Sequence, residues 1–187
     1  MKHHTLSALF LLIPLLFGCS STPKPNLAPD APNIKIVTYN VNWGFNAPDR
    51  VTRYLLDIDA DIAFLQETNS NWQFHLSVHL EKAYPFSVYY PSRGGAGGIA
   101  ILSKTELKNI KILPTDSGWF PALAADTTTR LGPLQLINVH LKPPLNEMGS
   151  VSISACNKSP DVHVKELTQH LSVMNRNSPI IIAGDFN

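Results

Sequence analysis

The segment Ile180-Ile181-Ile182-Ala183-Gly184-Asp185-Phe186-Asn187 carries an apolar, largely β-branched run directly into a glycine, an acid and an amide. Such a run reads as a buried strand, and its tip as polar chemistry presented at the edge of a sheet. The same order recurs along the chain. Ile34 to Tyr39 leads into Asn40-Val41-Asn42-Trp43-Gly44, and Asp61 to Gln66 leads into Glu67-Thr68. Leu134 to Val139 leads into His140.

Helical patterns lie between these strands. Pro48-Asp49 opens a helix whose apolar stripe is Val51, Tyr54, Leu55 and Ile58, proline being tolerated in a first turn. A second helix is expected over Trp72–Lys82, a short strand over Phe86–Tyr90, and a glycine-rich turn, Gly94 to Gly98, before the strand Ile99–Ser103. Strands near Leu107–Leu113, Trp119–Asp126 and Leu134–His140 follow as a meander. Pro143–Pro160 reads as a long polar loop, Val162–Met174 as a helix, and Ile180–Ala183 as the last strand. Interspersed helices and a majority of strands predict an α/β (α+β) sandwich.

The N-terminus is a separate matter. Met1-Lys2-His3-His4 is a short cationic start, and Leu6 to Phe17 is almost wholly apolar. That run is too short to span a membrane comfortably and has the proportions of a signal-peptide core. Leu16-Phe17-Gly18-Cys19 resembles the bacterial lipoprotein lipobox, which implies cleavage before Cys19 and lipidation of its thiol. An ordinary secretory signal with a chance cysteine is the alternative. Residues 20–33 hold four prolines and read as a spacer, reaching on the order of 40 Å if extended. The domains expected are therefore a signal peptide 1–18, a lipidated cysteine and tether 19–33, and a folded domain 34–187. Serine after the cysteine resembles the outer-membrane sorting choice, so the expected location is the bacterial cell envelope.

Charge excludes one class of partner. The chain has 15 Lys and Arg against 14 Asp and Glu, and losing residues 1–18 removes only Lys2, leaving 15 − 1 − 14 = 0. A neutral chain without a basic stripe is unsuited to strong non-specific duplex binding. Cys156 is the only cysteine besides Cys19 and is expected to be a small buried residue.

If the polar strand ends converge on one rim, that rim holds two carboxylates, several amides and an imidazole. Such a set can bind a hard divalent cation and a phosphate beside it. Taken singly, each motif is as readily a solvated strand end or a turn. Together, Thr38 to Gly44, Leu65-Gln66-Glu67-Thr68, Gly97 to Ser103, Asn138-Val139-His140-Leu141 and Gly184-Asp185-Phe186-Asn187 resemble the endonuclease/exonuclease/phosphatase superfamily, in its order.

The resemblance implies a four-layer α-β-β-α sandwich and Mg²⁺-dependent hydrolysis of a phosphoester, with Mn²⁺ as a substitute ion. It implies Glu67 as principal metal ligand with Asn40 beside it in the metal and phosphate shell. His140 would contact the phosphate and serve as acid or charge stabiliser, and Asp185 and Asn187 would orient the attacking water and the phosphate. The substrate stays open among nucleic acid, phospholipid and small phosphodiester, the membrane contact is the anchor at Cys19, and no protein partner is expected. Members of the superfamily continue to a Ser-Asp-His-like block that this sequence does not contain. A C-terminally truncated chain with an incomplete second sheet and little hydrolytic activity is therefore expected. A non-catalytic envelope binding lipoprotein that keeps the fold is the alternative.

Two further features bear on function. His75 and His79 stand at a zinc-compatible spacing, but without the glutamate of an HExxH motif a solvated helix face is the expectation. Trp43, Trp72 and Trp119 are assigned to core or rim packing.

Overall fold

The computed structural model describes residues 31–91, 95–146 and 149–187. The signal segment, Cys19 and most of the proline-rich spacer lie outside the described residues, as does Gly94 of the glycine-rich turn. In chain order the elements are β1 (Ile36–Asn40), α1 (Pro48–Ile58), β2 (Ile62–Gln66), α2 (Ser70–Leu80), β3 (Phe86–Tyr90) and β4 (Ile99–Ser103). They continue with β5 (Lys108–Leu113), β6 (Ala122–Thr129), β7 (Gly132–His140), α3 (Ile153–Ser172) and β8 (Ile180–Asp185).

Two four-stranded sheets form, ordered β1-β2-β4-β3 and β5-β6-β7-β8. Each contains one parallel pair, β1 with β2 and β7 with β8, and is otherwise antiparallel. Parallel neighbours require a crossover, and the helices supply it: α1 joins β1 to β2, and α3 joins β7 to β8. The expected meander of three strands is β5-β6-β7.

Alternation along the strands builds the layers, because successive side chains point to opposite faces. In the first sheet Ile62, Phe64, Ile99 and Ile101 face Leu123, Ala125, Leu134 and Leu136 of the second, forming the core between the sheets. Their neighbours Ala63, Leu65, Ala100 and Leu102 turn outward under Val51 and Leu55 of α1 and Trp72, Leu76 and Leu80 of α2. Ala122, Ala124, Ile137 and Val139 turn outward from the second sheet, with Leu167 of α3 packed against them. The result is the expected four-layer sandwich. Among the described residues no helix is long and apolar enough to cross a membrane.

Several local expectations need correction. Helix α3 begins at Ile153, not Val162, and carries Pro160 inside it. The Ser152 side chain accepts from the Ala155 N–H at 3.1 Å and caps the start. That cap and the packing of the helix outweigh the hydrogen bond that proline removes. Helix α2 begins at Ser70 because Asn69 accepts from the N–H groups of Asn71 and Trp72, both at 3.0 Å. Trp119 precedes β6, which starts at Ala122. Cys156 is exposed on α3 and not buried. His75 is not on a solvated face: its side chain is 18% exposed, stacks on His79 at 4.1 Å and approaches Asp49 at 3.4 Å.

Candidate functional site

Four inward-facing rows change from apolar to polar toward the same end of the sandwich. They run Ile36, Thr38, Asn40 in β1; Ile62, Phe64, Gln66 in β2; Leu136, Asn138, His140 in β7; and Ile181, Ala183, Asp185 in β8. Asn40 pairs with Gln66 and His140 with Asp185 in strand register. The apolar ends of the rows hold the sheets together, and the polar ends meet.

The deepest polar contact is Asn138, fully buried between the sheets. Its Nδ2 donates to the Leu65 carbonyl at 2.9 Å and the Ala100 carbonyl at 2.7 Å, and its Oδ1 accepts from Gln66 Nε2 at 2.7 Å. A strand of the second sheet is thus bonded to two strands of the first. Sequence reasoning gave Asn138 and Gln66 no part beyond lying in the motif blocks.

Above that floor the predicted residues come together. Asn40 Nδ2 donates to Glu67 Oε1 at 2.8 Å and to Asp185 Oδ2 at 2.9 Å, so one amide holds two carboxylates from opposite sheets. Asn40 Oδ1 accepts from the Asn42 N–H at 2.9 Å, which leaves the oxygen one lone pair. The second oxygen of Glu67 accepts from the Trp43 N–H at 3.2 Å. Glu67 itself has φ 61°, a left-handed conformation that costs a side-chain-bearing residue energy and clusters at functional sites. Gly184 has φ 148°, and a Cβ there would collide with the Val139 carbonyl, so only glycine lets β8 bring Asp185 so close to β7.

His140 is buried against Phe120, whose ring stacks on the imidazole at 4.5 Å. Its Nδ1 lies 3.2 Å from the Ala96 carbonyl. A carbonyl can only accept, so Nδ1 carries the hydrogen and Nε2 is the free nitrogen. Nε2 stands 3.9 Å from Asp185 Oδ2, too long for a hydrogen bond and within ion-pair range once the ring is protonated. Asn187 braces Asp185: its N–H donates to Asp185 Oδ1 at 2.9 Å, while its Nδ2 donates to the Leu141 carbonyl at 2.7 Å. At the rim, Lys142 Nζ lies 5.1 Å above the Trp119 ring, and the Lys142 carbonyl accepts from His163 Nε2 at 2.8 Å.

Among the described residues, neither Glu67 nor Asp185 forms an ion pair with a lysine or arginine; those residues pair with Asp59, Asp61 and Glu106. Two carboxylates on one neutral amide therefore leave negative charge uncompensated, a setting that suits a cation. No three His, Cys, Asp or Glu among the described residues could cage a metal by themselves. A cavity of about 430 Å³ beside Thr105, Asp126 and Gln135 shares no residue with this cluster.

The sequence model of the endonuclease/exonuclease/phosphatase family matches residues 37–187. Among curated proteins none matches the sequence. Several solved structures are similar. TDP2 from D. rerio, complexed with a single-strand DNA product, is 19% identical with a TM-score of 0.64, over 82% of this chain and 60% of that one. The beta toxin of Staphylococcus aureus, a β-hairpin deletion mutant, is 14% identical with a TM-score of 0.62, over 83% and 67%. An AP endonuclease from Archaeoglobus fulgidus is 19% identical with a TM-score of 0.61, over 82% and 57%. At these identities the likeness shows the fold, and the chain spans about three fifths of the length of the TDP2 and AP endonuclease structures.

Proposed function

The chain belongs to the endonuclease/exonuclease/phosphatase family, and from that membership we propose that its cluster serves the divalent-cation-dependent hydrolysis of a phosphoester. The observation that carries this reading is the single Asn40 amide holding Glu67 and Asp185 from two sheets. Glu67 would hold Mg²⁺, or Mn²⁺ in its place, with the free lone pair of Asn40 beside it. When bound, the ion supplies charge neutralisation on the phosphate oxygens. Asp185, fixed by Asn40 and the Asn187 N–H, would orient a water as nucleophile. His140, its Nδ1–H held by Ala96, would stabilise charge on the phosphate or deliver a proton to the leaving oxygen only once Nε2 is also protonated.

A nucleic-acid phosphoester is the substrate class we favour, on the likeness to a TDP2 structure holding single-strand DNA product. We also assign residues 1–18 to a signal peptide and Cys19 to lipid attachment at the cell envelope. Incorporation of labelled palmitate that survives in Cys19→Ser would refute the anchor.

Ion binding is the primary readout. Mn²⁺ titrated into the full chain and followed by electron paramagnetic resonance is expected to bind near one equivalent. Glu67→Ala should weaken that binding at least about tenfold while the circular dichroism spectrum is preserved. Undiminished Mn²⁺ affinity in the variant would refute the ligand role of Glu67.

A further inference from the structure

The loop that supplies a backbone donor to Glu67 also opens a cavity. Trp43 gives its N–H to the Glu67 carboxylate, and its carbonyl accepts from Asn69 Nδ2 at 3.0 Å. Trp43, 48% exposed, and Phe45, 44% exposed, line a cavity of about 310 Å³ together with the buried Trp72. Asn46, Asn69 and Asn71 also line it, and no charged residue does. From this geometry we infer that the cavity binds the nucleobase of a single, unpaired nucleotide whose phosphate occupies the Glu67–Asp185 cluster. The inference rests on the phosphoester reading of that cluster and adds the chemical group that it selects.

Four observations lead there. Two exposed aromatic faces beside a phosphate site offer stacking to a planar ring, a contact that every base can make. Asn46 and Asn71 at the edge add amide donors and acceptors suited to a heteroaromatic rim.

The remaining two observations exclude competitors. The first turn of α2 borders the cavity, through Asn71 and Trp72, and carries no acid. Helix N-termini carry partial positive charge, which favours the keto oxygens of a base and repels a quaternary ammonium. Asn69 Oδ1 is already committed to two N–H groups of α2, and without a carboxylate the wall is a poor cage for choline. The chain's formal charge of only +1 gives no extended cationic track, so a paired duplex lacks the backbone contacts it needs. A flipped or unpaired terminal nucleotide does not.

The test uses the full chain saturated with Mn²⁺ and isothermal titration with three phosphates: thymidine 5′-monophosphate, deoxyribose 5-phosphate and phosphocholine. The expected result is that the nucleotide binds tighter than the bare sugar phosphate by about fivefold or more. Phe45→Ala should erode that advantage without changing Mn²⁺ affinity; Trp43→Ala should erode it as well, and Trp43→Tyr should restore it. Equal binding of nucleotide and sugar phosphate, with Mn²⁺ bound normally, overturns the base pocket and leaves the phosphoester site standing. Tighter binding of phosphocholine than of the nucleotide overturns it in favour of a lipid headgroup. An advantage that survives both alanine variants overturns the assignment to this cavity. Failure of the wild-type chain to bind Mn²⁺ overturns the phosphoester reading, and the base pocket with it.

Discussion

Replacing Asn138 by alanine tests whether the two sheets are fastened by polar contact as well as by apolar packing. The side chain is fully buried and takes part in three hydrogen bonds of 2.7, 2.7 and 2.9 Å, reaching β2 and β4 from β7. Each bond contributes about 1 kcal/mol net, and a buried donor left without its acceptor costs about 1–3 kcal/mol more. Gln66 Nε2 keeps only a 3.3 Å contact with Thr38 Oγ1, so it bears part of that penalty. The sum is about 4 kcal/mol, a large share of a domain's usual 5–15 kcal/mol. It should lower the melting temperature by about 10 °C. Urea unfolding followed by circular dichroism would read this as a lower midpoint at unchanged slope. The double variant Gln66→Met with Asn138→Leu removes both partners and fills the space, so it should be less destabilised than the sum of the two single variants by about 1 kcal/mol or more. A cost below about 1 kcal/mol for Asn138→Ala, or strict additivity in the double variant, would refute the idea that these bonds join the sheets.

Three other outcomes follow from the structure. Gly184→Ala drives a Cβ into the Val139 carbonyl at a backbone angle that disfavours side chains, and should destabilise the chain by about 3 kcal/mol by chemical denaturation. Burial pushes the Tyr89 hydroxyl up to about 12. Below pH 10 both states keep the proton; between about 10 and 12 only the unfolded chain loses it, so stability should fall across that window by up to about 3 kcal/mol. Tyr89→Phe should remove that part of the pH dependence. On the surface, the Lys104 ammonium, 2.6 Å from the Asp59 carboxylate, holds that carboxyl below its usual range; in Lys104→Met an NMR titration should find it shifted upward, and no shift would exclude the pairing in solution.

Much of this site could be read in the chain because its chemistry sits at the ends of apolar runs. Asn40, Glu67, His140 and Asp185 each follow a strand whose inner row is already hydrophobic, and the structure brings all four to one end. What was not legible has physical reasons. Pro160 and the polar run around Ser152 read as a loop because proline is costly inside a helix, yet the cap at Ser152 and the packing of α3 start the helix well before it. Asn138 reads as a polar residue inside a strand, because its three partners lie in strands that sequence does not pair with it. Trp43 reads as packing, since the backbone donor that it gives Glu67 depends on loop geometry and not on residue type.

The Asn40–Asp185 contact joins residues 145 positions apart. Contacts of that separation are entropically expensive to close and tend to come late in folding. Sheet β1-β2-β4-β3 is complete by Ser103, and during synthesis it can order while the rest of the chain is still being made. It then carries Asn40 and Glu67 without Asp185. The Asn40 amide can bridge both carboxylates only after the second sheet docks. In that sense the cluster is a seam, closed last when the two sheets come together.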